Sequence, residues 1–310
     1  MSNNSYRLVT RSDFDGLVCA VLLKQLNLID EITFVHPKDM QDGKVQITSQ
    51  DIVTNLPYVE QAHLVFDHHS SEALRNTGNR DNHILIPEAP SAARVVWEHY
   101  GGTDTFPEQW LAMMEAVDKG DSAQFNRDEV LNPDGWNLLN FLMDARTGLG
   151  RFREFRVSNY NLMMDLIEYC KNHTIEEILA LPDVQERVDL YRSHEQKFKD
   201  QILRCAHEYN NLVVLDLCDE EVIYSGNRFM VYALFPQCNI SIHKMWGFRQ
   251  QNIVFATGKS IFDRGSKTNV GELMLKYGGG GHNAAGTCQI ATAESEQVLT
   301  DLINTINNDG

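Results

Sequence analysis

The first ninety residues repeat one device: a short apolar run, a polar breaker, then another run. The runs are YRLVT (6–10), EITFVHP (31–37), DIVTN (51–55), HLVFD (63–67) and HILIP (83–87). Each is brief and rich in Val, Ile or Leu, which predicts strands. Between the first two lies GLVCAVLLKQLN (16–27), which predicts a helix with a largely apolar body. PSAARVVWEHYGG (90–102) predicts another, opened by Pro90–Ser91 and closed by a glycine pair. Strands this uniformly apolar must be covered on both faces, and intervening helices provide the cover. The pattern therefore predicts an α/β fold with a mostly parallel sheet.

From about 107 to 205 the pattern turns helical, ending in VQERVDLYRSHEQKFKDQILRCA, long and charge-mixed as expected of a solvent-bridging helix between domains. Strands then return in NLVVLDL, FMVYALFP, NISIHKMW and NIVFATG, with helices predicted over 269–279 and 294–307. With 310 residues and 43% hydrophobic content, two domains are expected. The division falls near 200: residues 1–200 carry the parallel sheet and a helical connector, and 201–310 form a smaller α+β domain.

The net charge is −16, from 43 acidic against 27 basic residues. Such a surface repels a long polyanion, because tight binding to nucleic acid needs many phosphates neutralised. Small anions remain acceptable where a metal ion or cationic pocket reverses the local field. The six cysteines are scattered without a C-x-x-C pair, which argues against a zinc ribbon or a disulfide framework. No signal-peptide pattern opens the chain and no apolar stretch reaches membrane-spanning length. These features predict a cytoplasmic protein with no membrane partner.

Chemistry gathers at strand ends. RSDFDGL follows the first strand, and Asp13 and Asp15, two residues apart, can reach different metal ions while Gly16 turns the chain into the helix. LVFDHHSSE ends another strand in Asp67, His68 and His69, where folding alone would ask only for a turn. In a parallel sheet both clusters face one crevice. Mixed carboxylate and imidazole donors suit Mn²⁺, with Mg²⁺, Co²⁺ or Fe²⁺ less favoured. A two-metal centre of this kind activates water and clamps a phosphoryl group. Asp13, Asp15 and His68 still lack oxygen ligands. Of Asp118 and Asp121 in AVDKGDSAQF, Asp121 is the choice to supply one. Near the far end, KYGGGGHNAAG exposes backbone N–H groups at Gly278, Gly279, Gly280 and Gly281 for a phosphate, with His282 adding a hydrogen bond or charge. Upstream, Lys259, Arg264 and Lys267 offer cations for a terminal phosphate or a base face.

Taken in order and at these separations, SDFDG, FDHH and GGGGHNAAG resemble the DHH phosphoesterase superfamily, in the subgroup with a DHH-associated C-terminal domain. The motifs run from residue 13 to 286, nearly the whole chain, and their combination is specific where each alone is not. The resemblance implies two Mn²⁺ ions in the N-terminal domain and a substrate held between the domains by the glycine-rich motif. It assigns one carboxylate of Asp13 and Asp15 to each metal, His68 as a ligand and His69 as a contact to the scissile phosphate. Asp67 would orient its neighbours, and Asp121, in a stretch like the family's fourth motif, would bind the second metal. Two positions depart from the pattern. Val9 stands where many members carry a histidine, with Arg11 closer to the first Asp. Asn55 stands where a bridging Asp is expected, a neutral and weaker ligand.

The function expected is a metal-dependent phosphoesterase acting on short nucleotidic substrates: oligoribonucleotides, pAp or linear dinucleotides, including mononucleotides and short DNA. A nucleotide-binding protein with weak or lost activity is the alternative that Asn55 raises. An exopolyphosphatase is a further one, though no long cationic track is visible. A homodimer is compatible with the sequence.

Overall fold

Five of the apolar runs pair as a single sheet. They are β1 (Tyr6–Arg11), β2 (Ile29–Val35), β3 (Asp51–Thr54), β4 (Leu64–Asp67) and β5 (His83–Leu85). The order is β2-β1-β3-β4-β5, with every pair parallel, as the strand–helix alternation predicts. This computed structural model describes residues 5–69, 72, 78 and 80–310. After β1 the chain adds β2 on one side, then crosses to place β3 on the other. β1 and β3 thus flank a topological switch point, and their carboxyl ends border the crevice where such sheets bind ligands. The register sets Thr10 beside Thr54, and Thr54 beside Phe66, so the residues that follow β1, β3 and β4 emerge level with one another.

In chain order the helices described up to the second sheet are α1 (Phe14–Gln25), α2 (Pro37–Gln41), α3 (Ala92–His99), α4 (Leu111–Asp121), α5 (Arg127–Leu131), α6 (Gly135–Met143), α7 (Asn159–Asn172), α8 (Ile175–Leu179) and α9 (Pro182–Cys205). α1 is buried without interruption from Phe14 to Leu23. A helix apolar on every side has no face for water, so it is enclosed, here by the sheet together with α3, α4 and α7.

The chain divides into two compact units, one through Gln124 with Pro133–Asp189, the other Phe125–Asn132 with Leu190–Gly310. α9 begins in the first and continues into the second. Its polar sequence hides a buried face: Arg187 is 1% exposed, donates to the carbonyls of Asp183 and Val157, and stacks 4.0 Å from the Phe155 ring. Among the described residues no helix is long and apolar enough to cross a membrane.

The second unit holds β6 (Ala206–Tyr209), β7 (Leu212–Asp216), β8 (Ile240–Trp246), β9 (Ile253–Lys259), β10 (Gly280–His282) and β11 (Ala285–Ile290) in the order β10-β11-β9-β8-β7-β6. Only the β7–β8 pair is parallel. α11 (Val270–Leu275) and α12 (Ser295–Asp309) pack on it through Val270, Met274, Val298 and Leu302. One predicted strand is a helix instead. FMVYALFP forms α10 (Met230–Leu234), a short helix in the crossover between β7 and β8. Every residue from Phe229 to Ala233 is buried, and a short run that is apolar throughout shows no period by which strand and helix differ. The Asn227 side chain accepts from the Phe229 N–H and starts the turn.

Gly16 is where α1 meets β1. A Cβ there would stand 2.0 Å from the Arg11 carbonyl oxygen and 2.8 Å from Thr10 Oγ1. Only hydrogen fits. Gly16→Ala should force α1 away from the strand end and cost roughly 1–3 kcal/mol, the usual penalty of overpacking a core. Thermal unfolding checks this: the variant should melt lower than the wild type. An unchanged melting temperature would show that the close approach is not needed.

Candidate functional site

The crevice above β1, β3 and β4 receives side chains from four elements. Asp15 lies in the first turn of α1 and is 2% exposed. Its Oδ2 and Oδ1 accept from the backbone N–H groups of Ala92 (3.1 Å) and Ala93 (2.7 Å) at the start of α3. His68 follows β4 directly. Its Nδ1 lies 3.1 Å from the Ala89 carbonyl oxygen, which accepts only if Nδ1 carries the hydrogen. Nε2 is therefore turned toward the crevice, 2.9 Å from Asp121 Oδ2. Asp121 ends α4, where the helix carbonyls already concentrate negative potential. One ligand atom from each of Asp15, His68 and Asp121 lies within 4.8 Å of the others. Nε2 of His68 is 2.9 Å from Asp121 Oδ2 but out of line for a hydrogen bond, so a buried ring nitrogen lacks a hydrogen-bond partner.

Electrostatics in this cluster call for a cation. Burial and the neighbouring Asp121 charge push the Asp15 carboxyl up to about 8, against the pull of His68. Burial opposes charge on His68, yet Asp121 and Asp15 raise it to about 9. Asp121 is held below its ordinary range: burial pushes it up, but the His68 imidazole beside it outweighs that. Two carboxylates and an imidazole converging on one point fit a divalent ion.

Asp67, the last residue of β4, has a fully buried side chain. Its Oδ1 accepts from the His68 N–H (2.8 Å), the His69 N–H (3.2 Å) and His69 Nδ1 (2.7 Å). The bond to Nδ1 directs Nε2 of His69 outward, and the His69 side chain is 41% exposed. Burial disfavours its charged form, but Asp67 raises it overall.

Asp13 serves as the N-cap of α1, its Oδ1 accepting from the Gly16 N–H at 3.0 Å. Arg11 Nε pairs with Oδ2 at 2.9 Å. Asn55 follows β3 in a left-handed conformation (φ 54°) and donates Nδ2 to Oδ1 at 3.2 Å. Burial pushes Asp13 above its usual range, with Arg11 pulling the other way. Asp118, by contrast, is taken up in structure: it accepts from Ser91 Oγ (2.7 Å) and Arg94 Nε (2.8 Å).

The glycine-rich motif lies in the second unit. β10 is the edge strand there, paired with β11. A Cβ on Gly279 would meet the Thr287 carbonyl at 2.1 Å, and one on Gly281 the Ala285 carbonyl at 2.2 Å. Those two glycines permit close backbone packing. Gly278 has φ 73°, and Gly280 faces open space. Gly280, Gly281, His282, Asn269, Glu272 and Asn283 line a cavity of about 350 Å³. His282 Nδ1 accepts from the Ala284 N–H at 3.2 Å, which puts its own hydrogen on Nε2. Lys259 Nζ holds Asn283 Oδ1 at 2.8 Å. Arg264 follows β9 with its Nε near the Ile261 carbonyl (3.4 Å) and does not line that cavity.

The crevice of the first unit thus gathers Asp13, Asp15, Asn55, Asp67, His68, His69 and Asp121. Three contributors escaped the sequence reading. The N–H groups of Ala92 and Ala93 hold Asp15, and the only trace of this is a helix start at Ser91 followed by two small residues. Arg146, held by Asp144 at 2.7 Å, adds positive potential to Asp13 and Asp121. Nothing local in DARTG announces it.

Without metal near neutral pH, Asp15 lies below its raised value and keeps a proton, and His68 is an imidazolium. A divalent ion must displace both protons, so Mn²⁺ affinity should strengthen as pH rises from about 6 to about 9, with roughly one to two protons released per ion. Calorimetry in two buffers of different ionisation enthalpy reads that release. An affinity flat across this range contradicts a protonated Asp15 and a cationic His68.

No protein-family model matches the chain, and no curated protein does. Among solved structures it is similar to PggH, a pGpG-specific phosphodiesterase from Vibrio cholerae, with 72% identity and a TM-score of 0.88 over 99% of this chain and 100% of that one. It shares a fold with RecJ from Thermus thermophilus in complex with Mn²⁺ (13% identity, TM-score 0.50, 97% of this chain and 52% of that chain). The same holds for CDC45 from Entamoeba histolytica (8% identity, TM-score 0.51, 98% and 95%). With the acid and imidazole residues of SDFDG and FDHH meeting in one crevice, and that identity along its length, the chain belongs to the DHH phosphoesterase superfamily.

Proposed function

We propose that this chain is a metal-dependent phosphodiesterase that cleaves linear dinucleotides of the pGpG kind into mononucleotides. The observation that carries this is its 72% identity, over 99% of the chain, to a pGpG-specific phosphodiesterase. The crevice chemistry supports it. Asp15, His68 and Asp121 would hold a divalent ion, Mn²⁺ by preference, with Mg²⁺ or Co²⁺ also accepted. When bound, that ion polarises the phosphate and lowers the pKa of water. His69, whose charged form Asp67 favours against burial, would as the imidazolium donate from Nε2 to a non-bridging phosphate oxygen and steady the charge that grows there. In the second unit, the glycine-rich hairpin takes a substrate phosphate, with the Nε2–H of His282 as donor and Gly280 leaving the backbone open. The net charge of −16 weighs against long polyanions and for a short substrate. All six cysteines are free thiols, which supports a reducing, cytoplasmic setting.

A chromatographic assay at fixed salt, from pGpG through five-nucleotide RNA to long single strands, tests this reading. The dinucleotide should be cleaved fastest; rates that climb with length would instead mark a processive exonuclease. His69→Gln should slow the dinucleotide reaction about a hundredfold or more, as loss of one charge-stabilising donor does, while leaving the Mn²⁺ content intact. His282→Ala should weaken dinucleotide binding roughly tenfold to a hundredfold, the worth of a hydrogen bond to a charged phosphate. Lost metal with unchanged binding would move His282 out of the substrate site.

A further inference from the structure

Family resemblance implies two metal ions, but the donors in the crevice are unequal. At one end, Asp15, His68 and Asp121 offer three ligand atoms within 4.8 Å, and His68 Nε2 is buried without a hydrogen-bond partner. At the other end, the Asp13 carboxylate is already engaged. Oδ1 accepts from the Gly16 N–H at 3.0 Å and from Asn55 Nδ2 at 3.2 Å. Oδ2 accepts from Arg11 Nε at 2.9 Å, with Asn55 Nδ2 again at 3.5 Å. A carboxylate has about four lone-pair sites, so these contacts come close to saturating it.

The donor types exclude an ion more firmly than the count does. Asn55 points its amino group at Asp13, and that group has hydrogens to give and no lone pair for a cation; the other branch of the amide, Oδ1, is buried without a hydrogen-bond partner but is a neutral, weaker donor than the carboxylate it replaces. Arg11 places a permanent positive charge on the same carboxylate, and a guanidinium does not deprotonate to admit a second cation. A divalent ion at Asp13 would have to displace both. The Asn55 conformation (φ 54°) is one that asparagine tolerates, so the end of β3 holds this amide in place at little cost.

We infer that the Asp13 end of the crevice is a guanidinium site and that the centre is mononuclear, with its one ion at Asp15, His68 and Asp121. Arg11 occupies, as a fixed charge, the region that a second metal would fill. Bonded to Asp13 through Nε, it keeps the planar pair of NH₂ groups whose fork suits phosphate oxygens. This deepens the reading of the chain as a metal-dependent phosphodiesterase and rests on it for the nature of the substrate. The count of ions stands on the donor geometry alone.

The test is metal content and Mn²⁺ paramagnetic resonance on protein equilibrated with excess Mn²⁺ and then freed of unbound ion. The wild-type chain should hold one ion and give the six-line spectrum of isolated Mn²⁺. Two ions with an exchange-coupled spectrum would overturn the inference. The Arg11→Gln, Asn55→Asp double variant should rise to two ions, because the cation is removed and a ligand restored; Arg11→Lys should stay at one. A double variant that melts like the wild type yet still holds one ion would show that these two residues are not what excludes the second. If the double variant does not fold, the wild-type count decides. Hydrolysis of pGpG is followed on the same preparations. One ion without hydrolysis keeps this inference and removes the reading of function, whereas two ions with hydrolysis does the reverse.

Discussion

Four carboxylates crowd one crevice with little water to screen them, and the first unit is arranged around that repulsion. Asp15 and Asp67 are almost wholly buried, Asp13 and Asp121 partly so. Three of them are met by backbone donors from different places. Asp15 takes two N–H groups at the start of α3, Asp67 takes two from the chain that follows β4, and Asp13 takes the first turn of α1. Backbone donors of this kind carry no desolvation penalty as large as that of a buried charge, and they cannot swing away. What they leave uncompensated is concentrated where Asp15 and Asp121 face each other, which is where a divalent cation would be most strongly stabilised.

The Asp-His-His triplet divides two tasks between adjacent residues. The two rings touch edge to face, 4.6 Å between centroids, but separate anchors turn them differently. His68 is turned inward and fixed through Nδ1 by the Ala89 carbonyl. His69 is turned outward and fixed through Nδ1 by Asp67. Each anchor on Nδ1 leaves Nε2 to face elsewhere, that of His68 toward Asp121 and that of His69 outward. Preorganisation of this kind removes the cost of orienting an imidazole at the moment of reaction.

Strands and their parallel pairing were legible because apolar runs between breakers leave few other solutions, and the buried helix α1 was legible from its apolar surface on every side. The glycine-rich run was read as exposing N–H groups to a phosphate, but its packing as an edge strand against β11 was not legible. Gly279 and Gly281 are bound to be glycine by the β11 backbone, while Gly280 faces open space. Where the pattern had no period, in FMVYALFP, sequence could not choose between strand and helix, and burial on all sides of a crossover settled it as α10.

The sequence by itself determined the ligand chemistry: which acids and imidazoles exist, that they close strands, and that an asparagine replaces an acid. Which of them touch was decided only in three dimensions. Asn55 reaches Asp13 across 42 residues because β3 lies beside β1 in a register that levels their ends. In sequence Arg11 is an ordinary cation at the end of a strand; the sharp entry into α1 that Gly16 permits turns Asp13 back onto it. Long-range contacts of this sort leave no periodic trace in the chain, because they depend on how strands pair rather than on what each strand contains. The charge state of the crevice follows from the same fact, since carboxylates far apart in sequence repel one another only after the sheet has brought them together.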